Sequence, residues 1–262
     1  MDIRETLKRG DAIQRRHPWE LARFVIIMRM LRRSGLLDKP ITILDLGCGD
    51  TFFVEQMAAM LPGFSFWAVD PAFDDSMLES ARARLQANHI RVFSSIEQLN
   101  RQEHGQASLV VMLDVLEHVE QDVGLLTDLR KRDVLDERAS LLVTVPAFDS
   151  LMCSHDVFLG HYRRYDNARL ASLIHGSGWS LSNSGYFFTS LLLPRVLQKA
   201  AEKIRRPALE EASTGLVQWQ GGPFLTRLLQ TFLIFDFELT WRLQKLGLRI
   251  PGLSNFAVCH KH

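Results

Sequence analysis

The chain has 262 residues, 47% hydrophobic and 23% charged, with 31 Lys+Arg against 30 Asp+Glu. That balance excludes disordered and fibrous classes and gives ample apolar material for a core, while a formal net charge of +1 argues against a dedicated nucleic-acid binder, which needs a basic surface to displace phosphate counterions. The total conceals a cancellation: residues 1–40 hold ten basic and five acidic side chains, residues 41–150 eight and eighteen, and residues 151–262 thirteen and seven.

Cys48, Cys153 and Cys259 are too few and too scattered for a disulfide framework. The N-terminus has no signal-like apolar stretch, and no uninterrupted run reaches the ~18 apolar residues of a spanning helix, so a cytoplasmic protein is expected. Along the chain, residues 1–40 read as a helical cap with Leu21, Phe24, Val25, Met28 and Leu31 on one face. Strands follow at 41–46, 64–70, 90–94, 107–113 and 139–145, with helices near 51–61, 75–87 and 117–131 between them. That alternation implies right-handed crossovers and a mostly parallel, seven-stranded, Rossmann-like α/β sheet covered on both faces, once the later strands are added.

After Pro146 a loop rich in His, Arg and Tyr is expected over 149–165, then a helix near 166–176 and a strand at 179–187. Two helices rich in Leu and Phe at 190–206 and 223–247, joined by the connector 207–222, precede a last strand at 254–260. The resulting division is a cap (1–40), a core (41–187), a helical insertion (188–250) and the last core strand (251–262). The insertion carries more apolar residues than one sheet-packing face requires; insertion core, a dimer interface or partner contact, and a peripheral membrane or lipid patch through 188–247 all fit. The oligomeric state, monomer or homodimer, is left open.

The most informative segment is Ile41 to Asp50, a buried strand running into Gly47-Cys48-Gly49. A tight turn at the carboxyl end of a strand, without Cβ atoms, is where doubly wound sheets bring a nucleotide against the backbone. The second strand ends in Asp70, about 20 residues on, the spacing of an acid that accepts both ribose hydroxyls. Phe52 stands where a dinucleotide fingerprint needs its third glycine, and no Gly-Lys-Ser/Thr loop is present. A ligand with ribose and adenine but no phosphate, S-adenosylmethionine, fits better than NAD.

These motifs, LDLGCGD, AVD, LVVMLDVLEHV and VTVPAFDSLMCSHDVFLGHYRRYDNARLASLIHGSGW, resemble the class I S-adenosylmethionine-dependent methyltransferases, in particular a small-molecule branch with ubiquinone-type enzymes and enzymes carrying an HDxxxGHxRRY segment. The resemblance spans Ile41 to Trp179, with weaker similarity at 17–23 and near the end. It implies that Asp45, Gly47 and Gly49 hold the methionine part of the cofactor, that Asp70 binds its ribose, that Pro71 packs on adenine, and that Leu113 and Asp114 lie beside the methyl donor. The acid that reads adenine in many relatives is replaced by Ser94-Ser95, which leaves Ser95 or backbone groups for that role.

Asp114 also suits an N-cap of a helix beginning near Val115, and His118, four residues on, would then share its face. His118, His155 and His161 are the candidate general bases, a neutral imidazole being suited to proton removal near pH 7. Trp19 reads as a lid or as core; Tyr162, Arg163, Arg164 and Tyr165 read as substrate contacts, or as charges that solvate the loop and pair with the acidic centre. His155, Asp156 and His161 match no closed ligand spacing, so no metal is expected. The expected reaction is O-methylation, or C-methylation of an aromatic ring, of a hydrophobic, aromatic or carrier-linked small molecule. A non-catalytic cofactor-binding or interaction protein, and less so an NAD-dependent oxidoreductase, are the alternatives. Nucleic-acid methylation is disfavoured because Leu113-Asp114-Val115-Leu116 lacks the Asn/Asp-Pro-Pro-Tyr pattern.

Overall fold

A computed structural model of the protein describes residues 16–205 and 219–261. The cap before Arg16 and most of the 207–222 connector lie outside the described residues. The elements in chain order are α1 (Pro18–Arg33), β1 (Thr42–Leu46), α2 (Phe52–Met60), β2 (Ser65–Val69), α3 (Asp75–Leu85), β3 (Ile90–Phe93), α4 (Ile96–Gln102), β4 (Ala107–Leu113) and α5 (Asp122–Arg130). Then come β5 (Leu135–Pro146), α6 (Ser154–Leu159), α7 (Asn167–Gly176), β6 (Ser180–Phe187), α8 (Leu192–Arg205), α9 (Pro223–Lys245) and β7 (Ser254–His260).

Seven strands form one sheet in the order β3-β2-β1-β4-β5-β7-β6. β3, β2, β1, β4 and β5 pair in parallel, and β7 runs antiparallel between β5 and β6. Both faces are covered, as the continuous apolar strands require. The period of two divides each strand between two cores: Ile43, Leu109, Val111, Leu142, Phe256 and Val258 point to one, and Leu44, Val110, Met112, Leu141, Val143 and Cys259 to the other. The chain order reverses between β1 and β4, so the crevice outside their carboxyl ends is the switch point at which such sheets bind ligands.

α1 is capped by His17, whose Nδ1 accepts from the Trp19 amide at 3.3 Å while Glu20 reaches back to the His17 amide at 3.0 Å. Its buried set is wider than the single face expected, adding Ala22, Ile26, Ile27 and Met30, because α1 is sandwiched between the sheet and α9. Each fully buried Ile or Leu there stabilises the fold by roughly 1.5–3 kcal/mol. Arg29 and Arg33 clamp Glu238 of α9 at 2.6 Å each, and Arg33 also lies over the Phe237 and Trp241 rings. The face of α9 that carries Leu233, Phe237 and Trp241 is thus insertion core, whereas Phe224, Leu228, Phe232, Phe235 and Leu239 are exposed. Among the described residues no helix is long and apolar enough to cross a membrane.

Three local expectations need correction. The helix expected from 117 begins only at Asp122: the chain leaves β4 through Asp114 at φ 56°, then makes a 3-10 turn over Leu116–His118. Asp114 caps nothing there, and the shared helical face of Asp114 and His118 does not exist. α4 was not anticipated; the Ser95 hydroxyl caps it by accepting from the Gln98 amide at 3.1 Å. The 149–165 loop contains α6, which stops at Gly160 with φ 79°, a left-handed position that glycine takes without steric cost.

Candidate active site

β1 delivers the chain into Gly47 and Gly49, both at positive φ. The Gly47 amide donates to the Val69 carbonyl at 2.7 Å, which ties the turn to β2. A Cβ on Gly47 would sit 2.4 Å from Val115 Cγ2, on the segment that follows β4. We expect Gly47→Ala to destabilise the protein by about 1–3 kcal/mol through overpacking and left-handed strain together; an unchanged thermal midpoint would show that the turn relaxes freely.

Asp70, buried at the end of β2, serves the same turn. One carboxylate oxygen accepts from the Gly49 amide at 2.8 Å and the other from the Ala72 amide at 2.9 Å. Each oxygen keeps a second lone pair, so the carboxylate can hold the loop and still accept from a pair of hydroxyls. Pro71 is exposed beside it, and Leu113 is half-buried at the end of β4. Ser95 caps α4, its hydroxyl oxygen accepting from the Gln98 amide and keeping a second lone pair for a further donor.

Two acids near the glycine turn, Asp50 and Asp114, are paired with Arg16, just before the α1 cap, and with Arg23 of α1. Arg16 meets Asp50 at 2.5 Å and stacks over the Phe52 ring at 4.2 Å. Arg23 meets Asp114 at 2.5 Å and donates to the Thr144 hydroxyl at 2.7 Å. Asp45 differs: it is buried, and its Oδ2 has no hydrogen-bond partner among the described residues. Burial, reinforced by the negative charges of Asp70 and Asp50, pushes its carboxyl up to about 7. A buried carboxylate oxygen left without a donor, one residue from the end of β1, is a ready partner for a cationic ligand.

The residues of the 149–165 segment form a buried network in place of a solvated loop. Asp156 Oδ1 accepts from Arg164 at 2.7 and 3.0 Å and bonds His161 Nδ1 at 2.9 Å, while Oδ2 accepts from the Cys153 amide at 2.8 Å and from Arg195 of α8 at 3.1 Å. Burial opposes its charge, but the bond from His161 and the Arg164 guanidinium prevail and hold its carboxyl far below the usual carboxylate range. The carboxylate that orients an imidazole is therefore Asp156 acting on His161. It does not act on the adjacent His155, whose ring instead lies against Phe158.

Three of the expected substrate contacts are structural. Arg164 is buried on Asp156 and the Ala147 carbonyl, and Arg163 bonds Asp122 and the Glu120 carbonyl. Tyr165 is fully buried with its hydroxyl donating to Asp122 at 2.8 Å. Tyr162 is exposed, and Trp19 is half-buried under Arg23 at 5.9 Å, so these two retain surface toward a ligand.

The same network brings His161 against His118, with ring centroids 4.5 Å apart and planes at 89°. Glu117, unmarked in the sequence reading, joins them: donor atoms of Glu117, His118 and His161 all lie within 4.8 Å of one another. Glu117 is fully buried and neither of its carboxylate oxygens has a hydrogen-bond partner among the described residues. Burial first, then the nearby Asp114 charge, raise its carboxyl well above the ordinary value. The only sequence signal was a carboxylate flanked by Leu116 and Val119 in an apolar stretch. The Tyr162 amide, donating to the Glu117 carbonyl at 2.7 Å, fastens the 3-10 turn to the loop.

Among families, a model described as a methyltransferase domain matches residues 44–138. No curated protein matches the chain. Among solved structures, the chain is similar to a putative sarcosine dimethylglycine methyltransferase from Galdieria sulphuraria, at 14% identity and TM-score 0.55, over 91% of this chain and 84% of that one. It is similar also to a SAM-dependent methyltransferase from Archaeoglobus fulgidus (14%, TM-score 0.51, 91% and 94%) and to the [4+2]-cyclase SpnF (12%, TM-score 0.53, 90% and 79%). The likeness is one of fold, and a fold that hosts a cyclase as well as methyltransferases leaves the reaction to be argued from the site.

Proposed function

We propose that this chain is a class I S-adenosylmethionine-dependent methyltransferase, a reading supported by its matched methyltransferase domain and its sheet, and that it transfers a methyl group to an oxygen of a small-molecule acceptor. The observation that carries the reading is the pair of groups at the switch point: a cation seat at Asp45 and an imidazole, His161, oriented by Asp156 beside His118.

When bound, S-adenosylmethionine supplies an electrophilic methyl group on a sulfonium. The Gly47 and Gly49 backbone with Asp45 would hold its methionine part, and Asp70 its ribose hydroxyls. Phe52, which starts α2 under the Arg16 guanidinium, fills the place where a dinucleotide pyrophosphate needs glycine, against an NAD-linked role. On the acceptor side, Asp156 fixes the His161 tautomer with Nδ1 as donor, so Nε2 carries the lone pair that accepts a hydroxyl proton. A cleft of about 470 Å³ lined by Arg16, Leu21, Pro223, Thr226, Arg227 and Gln230 separates the start of α1 from the start of α9. Its mixture of apolar and guanidinium groups supports an acceptor with an apolar body and an anionic group. C-methylation of an activated ring is the second reading, since the same imidazoles could take a ring proton.

The test separates cofactor from chemistry. Asp70→Ala should weaken S-adenosylhomocysteine binding at least tenfold in a calorimetric titration. His118→Ala and His161→Ala should keep that affinity yet lower turnover by about 10²–10⁴ on any hydroxylated acceptor found by screening for S-adenosylhomocysteine release. Wild-type rates in both histidine variants would refute the oxygen-transfer reading, and cofactor binding without transfer across broad acceptor classes would favour a non-catalytic role.

A further inference from the structure

Glu117 presents a problem that proton removal by histidine does not address. A carboxylate with no exposed surface and no hydrogen-bond partner among the described residues is costly to keep charged, and the Arg23 and Arg164 guanidiniums offset that cost only in part. Two imidazoles, His118 and His161, face it across distances of at most 4.8 Å between donor atoms. Tetrahedral zinc–nitrogen and zinc–oxygen bonds of about 2.0–2.2 Å separate ligand atoms by about 3.3–3.6 Å, so side-chain rotations of roughly an ångström bring the three onto one ion.

The surroundings fit the same reading. His161 gives its Nδ1–H to Asp156 at 2.9 Å, the carboxylate–histidine arrangement that stands behind metal-ligating imidazoles and turns Nε2 toward the ion. Asp156 is in turn fixed by Arg164, Arg195 and the Cys153 amide, so the imidazole is held by a rigid buried support. Two nitrogens and one carboxylate oxygen suit a first-row transition ion better than Mg²⁺ or Ca²⁺, which prefer all-oxygen sets.

We propose that Glu117, His118 and His161 form a binding site for a divalent transition-metal ion of the Zn²⁺ type, with Asp156 as its outer partner, just beyond the carboxyl end of β4. Three protein ligands leave a coordination position open, and an acceptor hydroxyl bound there releases its proton to solvent water more readily than a free hydroxyl does; the ion, which occupies the Nε2 lone pair of His161, then takes over the activation assigned above to that imidazole. The site thus deepens the proposed oxygen transfer: it names what the histidine cluster uses to activate the acceptor, and it rests on that reading only for the last step.

The full chain, stripped with a chelator and dialysed, is titrated with Co²⁺ as a visible stand-in for Zn²⁺. We expect one Co²⁺ per chain with the visible absorption of nitrogen- and oxygen-bound cobalt, abolished by added Zn²⁺. Affinity should fall at least tenfold in Glu117→Gln and in His161→Ala, and by about 10–100-fold in Asp156→Asn. Circular dichroism checks folding, and His118→Ala provides a second route should Glu117→Gln not fold. Absence of stoichiometric Co²⁺ or Zn²⁺ binding by the wild type, or binding unchanged in His118→Ala and His161→Ala, overturns the site. S-adenosylhomocysteine affinity is measured on the same samples: a chain that binds the nucleoside but no metal refutes this inference alone, and a chain that binds metal but no nucleoside refutes the methyltransferase reading alone.

Discussion

Asp156→Ala should lower the free energy of unfolding by about 3–5 kcal/mol, the largest single-residue loss we expect, because it strands a buried guanidinium. Arg164 is 5% exposed and makes no other ion pair among the described residues; removal of Asp156 leaves its guanidinium the Ala147 carbonyl as its remaining hydrogen-bond partner there. The Cys153 amide, His161 and Arg195 lose the same partner. The sign of the pH dependence follows from a carboxyl held far below its ordinary range in the folded state. Its stabilisation is fully present above the unfolded value of about 4 and is lost as pH falls toward the folded one. Urea denaturation at pH 7 and pH 3 should therefore show a large wild-type advantage over Asp156→Ala at the first and a smaller one at the second. An equal difference at both would mean that the loss is one of packing and not of charge.

That network shows where sequence reading runs out. The seven strands were legible because buried parallel strands are continuous apolar runs, and β1 with its glycines names its own position at the switch point. The position of Asp70 was legible for the same reason, since an acid at that spacing ends β2 beside the glycine turn. In the 149–165 segment the partners are Asp156 with His161 and Arg164, and Glu117 with residues 44 positions later. Such pairings depend on how a six-residue helix and a 3-10 turn meet, and short elements leave no periodicity to read. His155 is adjacent to Asp156 in sequence, but consecutive residues on α6 point in different directions.

Charge, too, changed meaning once the contacts were known. The acidic centre and basic flanks are complementary surfaces within one molecule: Arg16 pairs with Asp50, Arg23 with Asp114 and Arg163 with Asp122. These pairs fasten the N-terminal helix and the post-β5 segment to the strand ends that carry the site. They also neutralise Asp50 and Asp114, whereas the buried Asp45 beside the glycine turn has no ion pair among the described residues and keeps an unpartnered oxygen.

Cofactor affinity should therefore depend on pH through Asp45. With its carboxyl pushed up to about 7 in the unliganded protein, the group is largely protonated at pH 6 and ionised at pH 8. A cationic ligand favours the ionised form, so binding releases a proton at low pH. Affinity should fall about tenfold for each pH unit below 7 and level off above it. Asp45→Asn should bind weakly and without that slope. The same burial acts on the fold with the opposite sign. A carboxyl whose folded value lies above its unfolded value of about 4 loses stability as pH rises between the two, by roughly 4 kcal/mol at most once both are ionised. Asp45→Asn should accordingly raise the unliganded melting temperature at pH 8 and leave it little changed at pH 4. A residue that weakens the fold at the pH where it strengthens binding shows the exchange of stability for function expected at a ligand site. Calorimetric titrations of S-adenosylhomocysteine and of the methyl donor at pH 6, 7 and 8, set beside thermal scans of the same two proteins, decide it: a flat wild-type affinity, or an asparagine variant less stable at pH 8, would remove Asp45 from the cation seat.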